Sequence, residues 1–309
     1  MEKIKVFAPA TVANVSCGFD VLGFCLDQVG DEIIIQKTSQ PGVRITKIIG
    51  QDLPLETDKN VAGVAALALL KKIDTTVGFD IEIHKGINAG SGIGSSAASS
   101  SGAVFGINEL LGRPFTRKEL IPFAMKGEEL ASGSAHADNV SPAILGGFTL
   151  VRCGQTPDII SLPVPKELFA TIIHPKIELK TSDARSVLKQ TIPLNKGIQQ
   201  WGNLAALVSA LYTEDYNLMG RSLVDVIIEP ERSALIPHFD DVKEVAKEAG
   251  ALGSGISGSG PSIFMLSKGE ATAEKVRHAV SSIYEGYPID FNTFVSKINT
   301  KGLTIIETE

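Results

Sequence analysis

The sequence predicts an α+β fold in two domains, and three observations carry this prediction. Predicted strands and helices follow one another without strict β–α–β alternation, which is typical of α+β proteins rather than of a doubly wound sheet. The chain has 309 residues, and at roughly 100–200 residues per domain this length corresponds to about two domains. Three prolines crowd the segment Gln155–Lys166. We interpret that segment as a linker, so the predicted domains are residues 1–160 and 161–309.

Strands are predicted from short runs that are rich in β-branched and aromatic residues. Several runs alternate in period two, as in Phe79–His84, so one face of the sheet is expected to meet water. The predicted strands are Glu32–Lys37, Val43–Ile49, Phe79–His84, Phe148–Arg152, Phe169–His174, Ser262–Leu266 and Phe291–Ile298.

Helices are predicted from longer segments with helical periodicity and end signals. Thr116 and Glu119 have the spacing of a capping box before the third helix, and Gly250 follows the sixth helix as a C′ glycine would. The predicted helices are Val61–Lys72, Ser96–Leu111, Arg117–Ala131, Ile198–Tyr212, Asp215–Ile228, Asp241–Ala249 and Glu270–Ile283.

Composition excludes several classes of protein. The chain has 29 Lys and Arg residues and 35 Asp and Glu residues, a formal net charge of −6 that disfavours nucleic acid as a partner. The longest apolar run, Val61–Leu70, has half the length of about 20 residues that a membrane span needs. Cys17, Cys25 and Cys153 lack CxxC spacing, which is typical of a reducing compartment. With no apolar segment near Met1, we expect a cytoplasmic protein without a nucleic-acid or membrane partner.

A loop rich in glycine and serine, Gly90–Ala98, follows a predicted strand and opens a predicted helix. Glycines let the backbone turn sharply and approach a ligand, and a helix N-terminus favours an anion. Ser95 and Ser96 would place hydroxyl groups near a phosphate. Since an apolar continuation, Ala103–Ile107, follows the loop, phosphate binding is favoured over a flexible linker.

The type of phosphate loop stays open on these residues alone. A P-loop needs a lysine before the Ser/Thr, and no lysine lies between Lys85 and Lys118. Gly92–Ala97 has the spacing of a dinucleotide-binding loop but is not followed by a second strand with an acidic residue. A second match, Gly253–Gly258, leads into a strand instead of a helix.

Three motifs in a fixed order resemble those of the GHMP kinases: Pro9–Gly23, Gly90–Ala98 and Gly253–Pro261. Within that superfamily, three further stretches resemble the homoserine kinases: Ser132–Val140, Thr181–Arg185 and Glu229–Arg232. The resemblance covers essentially the whole chain. It implies an N-terminal domain like ribosomal protein S5 domain 2, a ferredoxin-like C-terminal domain and a homodimer.

The resemblance also implies ATP and Mg²⁺ as cofactors, with the ATP phosphates over the Gly90–Ala98 loop. Ser96 and Glu128 would bind Mg²⁺, and the alternative to Glu128 is its neighbour Glu129. The resemblance assigns catalytic roles to Ser96, Glu128 and Thr181. The implied cofactor-binding residues are Asn60, Asn88, Ala89, Gly90, Ser91, Gly92, Ile93, Gly94, Ser95, Ser96, Ala97, Ala98 and Gly258.

The implied substrate is homoserine, a zwitterion with a terminal hydroxyl group. Arg185 and Arg232 would bind its carboxylate, because guanidinium groups match carboxylate geometry. Asp20 and Asn14 would accept from its ammonium group. The pocket would be completed by His136 and Asn139, and the hydroxyl of Thr181 would lie near the reacting group.

The expected activity is therefore ATP-dependent phosphorylation of the homoserine hydroxyl, without a general base. Two alternatives remain at this point. One is another GHMP kinase acting on mevalonate, shikimate or a sugar, and the other is a catalytically inactive protein of the same fold. Two departures from the family motifs concern the loops: Asn88 stands where proline is usual, and Ser16-Cys17 replaces Gly-Pro.

Overall fold

The computed structural model describes residues 1–152, 154, 157–177 and 179–309. The first two residues of the predicted linker and Cys153 lie outside the described residues. Helices account for 37% of the chain and strands for 28%. None of the helices among the described residues is long and apolar enough to cross a membrane.

The strands of the described residues form two sheets. Numbered in chain order, they are β1 (Lys3–Ala13), β2 (Leu22–Thr38), β3 (Gly42–Ile49), β4 (Gly78–His84), β5 (Phe148–Arg152), β6 (Asp158–Leu162), β7 (Leu168–Pro175), β8 (Gly253–Ile256), β9 (Ile263–Lys268), β10 (Phe291–Lys297) and β11 (Thr304–Thr308). The first sheet runs in the order β11-β1-β2-β4-β3, and its long strand β2 also pairs with β5, which pairs with β6. The second sheet runs in the order β10-β7-β9-β8.

The helices are α1 (Val61–Leu70), α2 (Ser95–Leu110), α3 (Arg117–Ser132), α4 (Val140–Leu145), α5 (Thr181–Ser186), α6 (Leu194–Thr213), α7 (Tyr216–Ser222), α8 (Glu229–Arg232), α9 (Phe239–Glu248) and α10 (Glu270–Glu285), with a 3₁₀ turn at Ser233–Leu235. All seven predicted strands and the predicted helices before residue 214 recur among the described residues, but β2 begins at Leu22 instead of Glu32 and α6 at Leu194 instead of Ile198. The predicted helix Asp215–Ile228 ends early, as α7.

Helix α2 is the central helix of the N-terminal half, and small residues let it lie directly on the first sheet. A Cβ added to Gly102 would lie 2.6 Å from Ile33 Cγ1, and one added to Gly106 would lie 2.5 Å from Ile35 Cδ1. In the same way Gly127 of α3 lies against Ser100 of α2. The close packing fixes the first turn of α2, which follows the glycine-serine loop.

The C-terminal sheet is antiparallel and is built from strand, helices, strand, strand, helix and strand. This β-α-β-β-α-β order, with β7 between β10 and β9, is the ferredoxin-like arrangement. Helices α9 and α10 cover one face through a core that includes Val242, Ala246, Val276, Val280 and Tyr284. The structure confirms the α+β class and the predicted C-terminal fold.

Two segments differ from their predictions. The predicted linker contains β6, which pairs with β5 from Phe148–Leu162 to Arg152–Asp158, so this part is not a linker. The proposed boundary between residues 160 and 161 falls inside β6 and stays a prediction. The end of the chain returns to the first sheet, because β11 pairs antiparallel with β1.

Candidate active site

The predicted site residues converge on one cleft of about 860 Å³. It lies between the glycine-serine loop, the turn after β1, α3, and the segment around α5. Sixteen predicted residues line it: Asn14, Asp20, Asn60, Ala89, Gly90, Gly92, Gly94, Ser95, Ser96, Glu128, His136, Asn139, Thr181, Arg185, Arg232 and Gly258. The predicted residues that do not line it are Asn88, Ser91, Ile93, Ala97 and Ala98.

Alternate glycines shape the glycine-serine loop. Gly90, Gly92 and Gly94 have left-handed backbones, with φ of 74°, 81° and 73°. A Cβ on Gly92 would lie 2.6 Å from Gly260 O, and one on Gly94 would lie 2.1 Å from Thr11 Oγ1. Gly94 is also the N-cap of α2 and supplies no side chain to its first N–H groups. These groups are therefore free to bind an anion in the cleft.

Residues in and directly after the third motif, Gly253–Pro261, donate hydrogen bonds to the carbonyl groups of this loop. Ser257 Oγ donates to Gly92 O at 2.7 Å, and Ser262 Oγ donates to Ser91 O at 2.6 Å. The backbone N–H of Thr11 on β1 donates to Ile93 O at 3.1 Å. Ser91 and Ile93 thus contribute carbonyl groups to the protein interior.

The remaining predicted loop residues also act from outside the cleft. Ala97 and Ala98 are fully buried in α2. Asn88, which stands where the family has proline, is held by Gln51: Gln51 Nε2 donates to Asn88 Oδ1 at 3.1 Å, and Gln51 Oε1 accepts from Ala89 N at 2.9 Å. Contacts from Gln51 stabilise the start of the loop in place of a proline ring.

A buried ion pair that sequence reasoning missed lies under the loop. The side chains of Lys85 and Asp31 are 2% and 0% exposed and contact each other directly. Lys85 Nζ also donates to Ser95 O at 3.2 Å and to Ser99 Oγ at 2.9 Å. Asp31 Oδ1 accepts from the backbone of Gly86 and Ile87 at 3.0 and 3.1 Å. The pair joins the end of β4 to the first turn of α2.

Glu128 on α3 is a buried carboxylate that faces Ser96 across the cleft. Its Oε1 has no hydrogen-bond partner among the described residues. Burial raises the pKa of Glu128 to about 7, against the opposing effects of Ser96 and Lys85. Glu129 instead forms a surface ion pair with Lys126 at 2.7 Å. The geometry therefore favours Glu128 over its neighbour as a ligand.

The donor set fits a magnesium ion bound to a nucleotide. A carboxylate and a hydroxyl are hard oxygen ligands, and Mg²⁺ in phosphate-transfer sites takes few protein ligands. The described residues contain no cluster of three or more His, Cys, Asp or Glu that could hold a metal by itself. Glu128 and Ser96 could thus hold Mg²⁺ only together with phosphate oxygens and water.

The other end of the cleft carries opposite charges in contact. Arg185 Nη2 donates to Asp20 Oδ1 and Oδ2 at 3.0 and 3.2 Å and lies 2.9 Å from His136 Nε2. Burial lowers the pKa of His136. The neutral imidazole can accept from Arg185 through Nε2, since an imidazolium has no free lone pair.

Arg232 of α8 is a second, deeper guanidinium. It is 3% exposed, and its Nε donates to Ala184 O at 2.8 Å. Burial and then the charge of Arg185 lower the pKa of Arg232 to about 10, so it is charged at neutral pH. The ring of Phe19 lies 5.1 Å from Arg232 Cζ and 5.5 Å from Arg185 Cζ. Phe19 therefore holds both guanidinium groups by cation–π contacts, a role that sequence reasoning missed.

Asn14 shapes the turn that presents Asp20. Asn14 Oδ1 accepts from Asp20 N at 2.9 Å, and Asn14 Nδ2 donates to Gly258 O at 2.6 Å. Both the oxygen and the nitrogen of the Asn14 amide are hydrogen-bonded within the chain, so Asn14 supports the turn that carries Asp20. Asn14 has a left-handed φ of 71°, and so does Ser16, at 61°, the first of the two residues that replace the Gly-Pro of the family motif.

Three further predicted polar residues line the cleft. Asn139 Oδ1 accepts from Thr11 Oγ1 at 2.8 Å. Thr181 Oγ1 lies 3.3 Å from Ser259 Oγ, at the first residue of α5. Asn60 caps α1 by accepting from Ala62 N at 3.0 Å, so its amide oxygen serves the helix as well as the wall of the cleft.

Asp138 was not predicted to belong to the site, although it lies in the quoted motif Ser132–Val140. It is 3% exposed, and its Oδ1 has no partner among the described residues. Burial, with the charges of Asp20 and Glu128, raises the pKa of Asp138 to about 7. A buried carboxyl in a ligand-binding cleft is a functional-site feature that only the fold reveals.

Comparisons with known proteins agree with this geometry. Residues 60–147 match the family model described as "GHMP kinases N terminal domain", and residues 207–286 match "GHMP kinases C terminal". Over 322 aligned positions, the chain is 47% identical to a homoserine kinase of Chlorobaculum tepidum, covering 100% of this chain and 99% of that protein.

Solved structures extend the likeness to three dimensions. A crystal structure of homoserine kinase from Cytophaga hutchinsonii is 50% identical, with a TM-score of 0.96 over 99% of this chain and 98% of that one. A mevalonate kinase of L. major in complex with R-mevalonate has 15% identity and a TM-score of 0.71, covering 96% and 99% of the two chains, and shares the fold alone. The chain belongs to the GHMP kinase family and, within it, to the homoserine kinases.

Proposed function

We propose that the protein transfers the γ-phosphoryl group of ATP to the hydroxyl of L-homoserine and forms O-phospho-L-homoserine, a step of threonine biosynthesis. One observation carries the choice of substrate. The acceptor end of the cleft holds a guanidinium and a carboxylate in contact, Arg185 and Asp20. Such a pair complements a zwitterion, because the carboxylate of the substrate can bind the guanidinium while its ammonium binds the carboxylate.

Arg185 has a hydrogen-bond donor that the substrate carboxylate could use. Arg185 Nε is buried and has no hydrogen-bond partner among the described residues. An entering carboxylate would satisfy Arg185 Nε, and Phe19 would keep the guanidinium in place. The charge of Arg232 adds to the positive potential there. An ammonium group would replace Arg185 beside Asp20.

The phosphate end supplies transition-state stabilisation. The free N–H groups at the start of α2 would bind phosphate oxygens, and Ser96 and Glu128 would hold Mg²⁺. When bound, the metal neutralises negative charge on the transferred phosphoryl group. The homoserine oxygen forms the new bond to the γ-phosphorus as the bond to the β–γ bridging oxygen breaks; the hydroxyl proton passes to an oxygen of the transferred phosphoryl group and from there to water, and ADP leaves. Because phosphoryl transfer depends mainly on positioning and charge, these residues suffice without a general base.

The alternative acceptors lack part of this complementarity. A neutral sugar offers neither charge to Arg185 or Asp20. Mevalonate and shikimate carry a carboxylate but no ammonium, so Asp20 would face the substrate without a cation. A catalytically inactive protein would not require the buried Glu128 carboxylate beside Ser96. Homoserine is the acceptor that uses both charged groups.

An acceptor panel tests the proposal. Purified protein would be given Mg²⁺-ATP with L-homoserine, R-mevalonate, shikimate or galactose, while ADP release is measured and the product is identified by ³¹P NMR. We expect turnover and a new phosphomonoester with L-homoserine alone. A Glu128→Gln variant serves as the matched control for contaminating kinases. Equal or faster turnover with another acceptor would contradict the proposal.

We also propose that the protein is a cytoplasmic homodimer. The compartment is supported by Cys17 and Cys25, which are buried free thiols in the described part of the chain. Burial raises the pKa of Cys17 to about 12, so its thiol is unreactive although it lies near the substrate turn. Fractionation of cells with an antibody against the protein would test the location.

A further inference from the structure

Helix α6 carries an exposed stripe without charge along its whole length. Between Gln190 and Thr213 the only charged residue is Lys196. Positions three, four and seven apart share one face of a helix, and here the exposed members of that face are uncharged. We call them the α6 stripe: Leu194, Ile198, Trp201, Gly202, Ala205, Ser209 and Tyr212.

The large members of the α6 stripe are far more exposed than core residues. Leu194 is 70% exposed, Trp201 55% and Tyr212 61%. The opposite face of the helix is already used, since Leu207, Ala210 and Leu211 are buried in the core. From Leu194 to Tyr212 the stripe is about 27 Å long at 1.5 Å per residue. A contiguous apolar surface of this kind marks an interaction site.

Side-chain size along the stripe identifies what covers it. The N-terminal half carries large residues, Leu194, Ile198 and Trp201, whereas the centre and C-terminal half carry the small residues Gly202, Ala205 and Ser209 before the large Tyr212 at the end. If two copies of α6 pack antiparallel about a two-fold axis near residue 203, Ile198 and Trp201 of each copy meet small residues of the other, and only the end pair, Leu194 with Tyr212, is large on both sides. A two-fold interface needs this self-complementarity, because each residue i meets j while j meets i.

Two further features favour a second copy over an unrelated protein. Each chain has a net charge of −6, so two copies approach best through a surface that adds no charge of its own. Gly202 lies inside the helix, where glycine weakens it, and a Cβ added there would meet nothing within 4 Å. The missing side chain makes room for a close approach of the second helix from outside.

We propose that the α6 stripe is the homodimer interface, with the two α6 helices antiparallel. In this register Ile198 faces Ser209 of the second copy, Trp201 faces Ala205, and Leu194 faces Tyr212. The interface leaves both clefts outside the contact, because no member of the stripe lines the cleft. The proposal therefore stands or falls independently of the kinase activity.

The first experiment measures mass and the environment of Trp201. Trp201 is the only tryptophan of the chain, so its emission reports on the interface directly. Light scattering during gel filtration should give a dimer for the wild type. Ala205→Arg should give a monomer, with emission shifted to longer wavelength as Trp201 becomes exposed. Ala271→Arg, at an exposed position of α10, is the matched control and should stay dimeric.

A second experiment tests the antiparallel register. Ile198→Glu and Ser209→Lys should each weaken the dimer at least tenfold. The double variant should regain much of the affinity, since Glu at 198 would face Lys at 209 of the other copy. Within one helix these positions are eleven residues apart and do not meet. A wild-type monomer, or a dimer whose dissociation constant Ala205→Arg leaves unchanged, would overturn the proposal, as would a double variant no tighter than the singles.

Discussion

Arg185 on α5 contacts Asp20, in the turn after β1, through one terminal nitrogen that lies 3.0 and 3.2 Å from the two carboxylate oxygens. The two residues come from opposite halves of the chain, so the contact exists only when both halves are folded against the cleft. Each side chain is about one third exposed. The pair is therefore open to exchange with a ligand of both charges, which is the basis of the proposed substrate recognition.

The first prediction concerns the metal site. Glu128→Gln should lower kcat by at least a hundredfold while homoserine binding stays near normal, because the loss falls on charge stabilisation in the transition state. Steady-state kinetics with Mg²⁺ titration would measure this, and thermal melting would verify the fold. Glu129→Gln is the control at the neighbouring surface position. If Glu129→Gln is impaired and Glu128→Gln is not, the assignment of the ligand is wrong.

The second prediction concerns loop geometry. Gly94→Ala should abolish ATP binding, because a Cβ there would lie 2.1 Å from Thr11 Oγ1. Gly90→Ala is the matched control: its backbone is also left-handed, but an added Cβ meets nothing within 4 Å. It should keep most of the affinity measured by calorimetry. Equal losses in the two variants would assign the effect to backbone conformation rather than to contact with β1.

A third prediction concerns stability. Lys85→Met leaves Asp31 buried without its cation, and breaking a buried pair in this way costs about 3–5 kcal/mol. Chemical unfolding should show this loss, while Lys72→Met, at an exposed position, should change the free energy of unfolding by less than about 0.5 kcal/mol. Adding Asp31→Asn to Lys85→Met should restore part of the stability. A loss below about 1 kcal/mol for Lys85→Met would mean that the pair does not stabilise the loop base.

A fourth prediction concerns pH. Burial lowers the pKa of His136 below its ordinary value of 6.5. The residue is therefore neutral at pH 7 and becomes charged as pH falls through that lowered value. Protonation removes the acceptor for Arg185 and places a positive charge 3.6 Å from Asp20 Oδ1, where it competes with the substrate ammonium, so homoserine binding should weaken in that window. Calorimetry without nucleotide should show the decline for the wild type and a flatter profile for His136→Gln. Identical profiles would exclude His136 as the source.

Local patterns in the sequence were enough to predict the loop and much of the site. The glycines that need left-handed backbones recur at alternate positions, and Thr116 with Glu119 forms the capping box that starts α3. The cleft residues were placed by their motifs. By contrast, Lys85 and Asp31 are 54 residues apart, and nothing local marks them as partners.

Long-range and side-chain effects explain the other differences. Strand β11 pairs with β1, which lies at the opposite end of the sequence, so nothing in the sequence near β11 indicates which strand it pairs with. Pro157 and Pro163 flank β6 without entering it, which is a position that a strand tolerates. The predicted helix Asp215–Ile228 ends at Ser222, where Leu223 leaves the helical conformation, and beyond it Asp225 accepts from the N–H groups of Ile227 and Ile228 in a turn.

The most direct test of the account asks whether Arg185 recognises the substrate carboxylate. Kinetics would be measured for L-homoserine and for homoserine carboxamide, in the wild type and in Arg185→Ala, with Arg185→Lys as the conservative variant. A charge-assisted hydrogen bond contributes roughly 1.5–3 kcal/mol, so Arg185→Ala should raise the homoserine KM about ten- to a hundredfold, with Mg²⁺-ATP binding unchanged. Arg185→Lys should recover only part of this. The carboxamide should be a poor substrate that loses much less from the same substitution. An equal penalty for both substrates would contradict the proposed recognition.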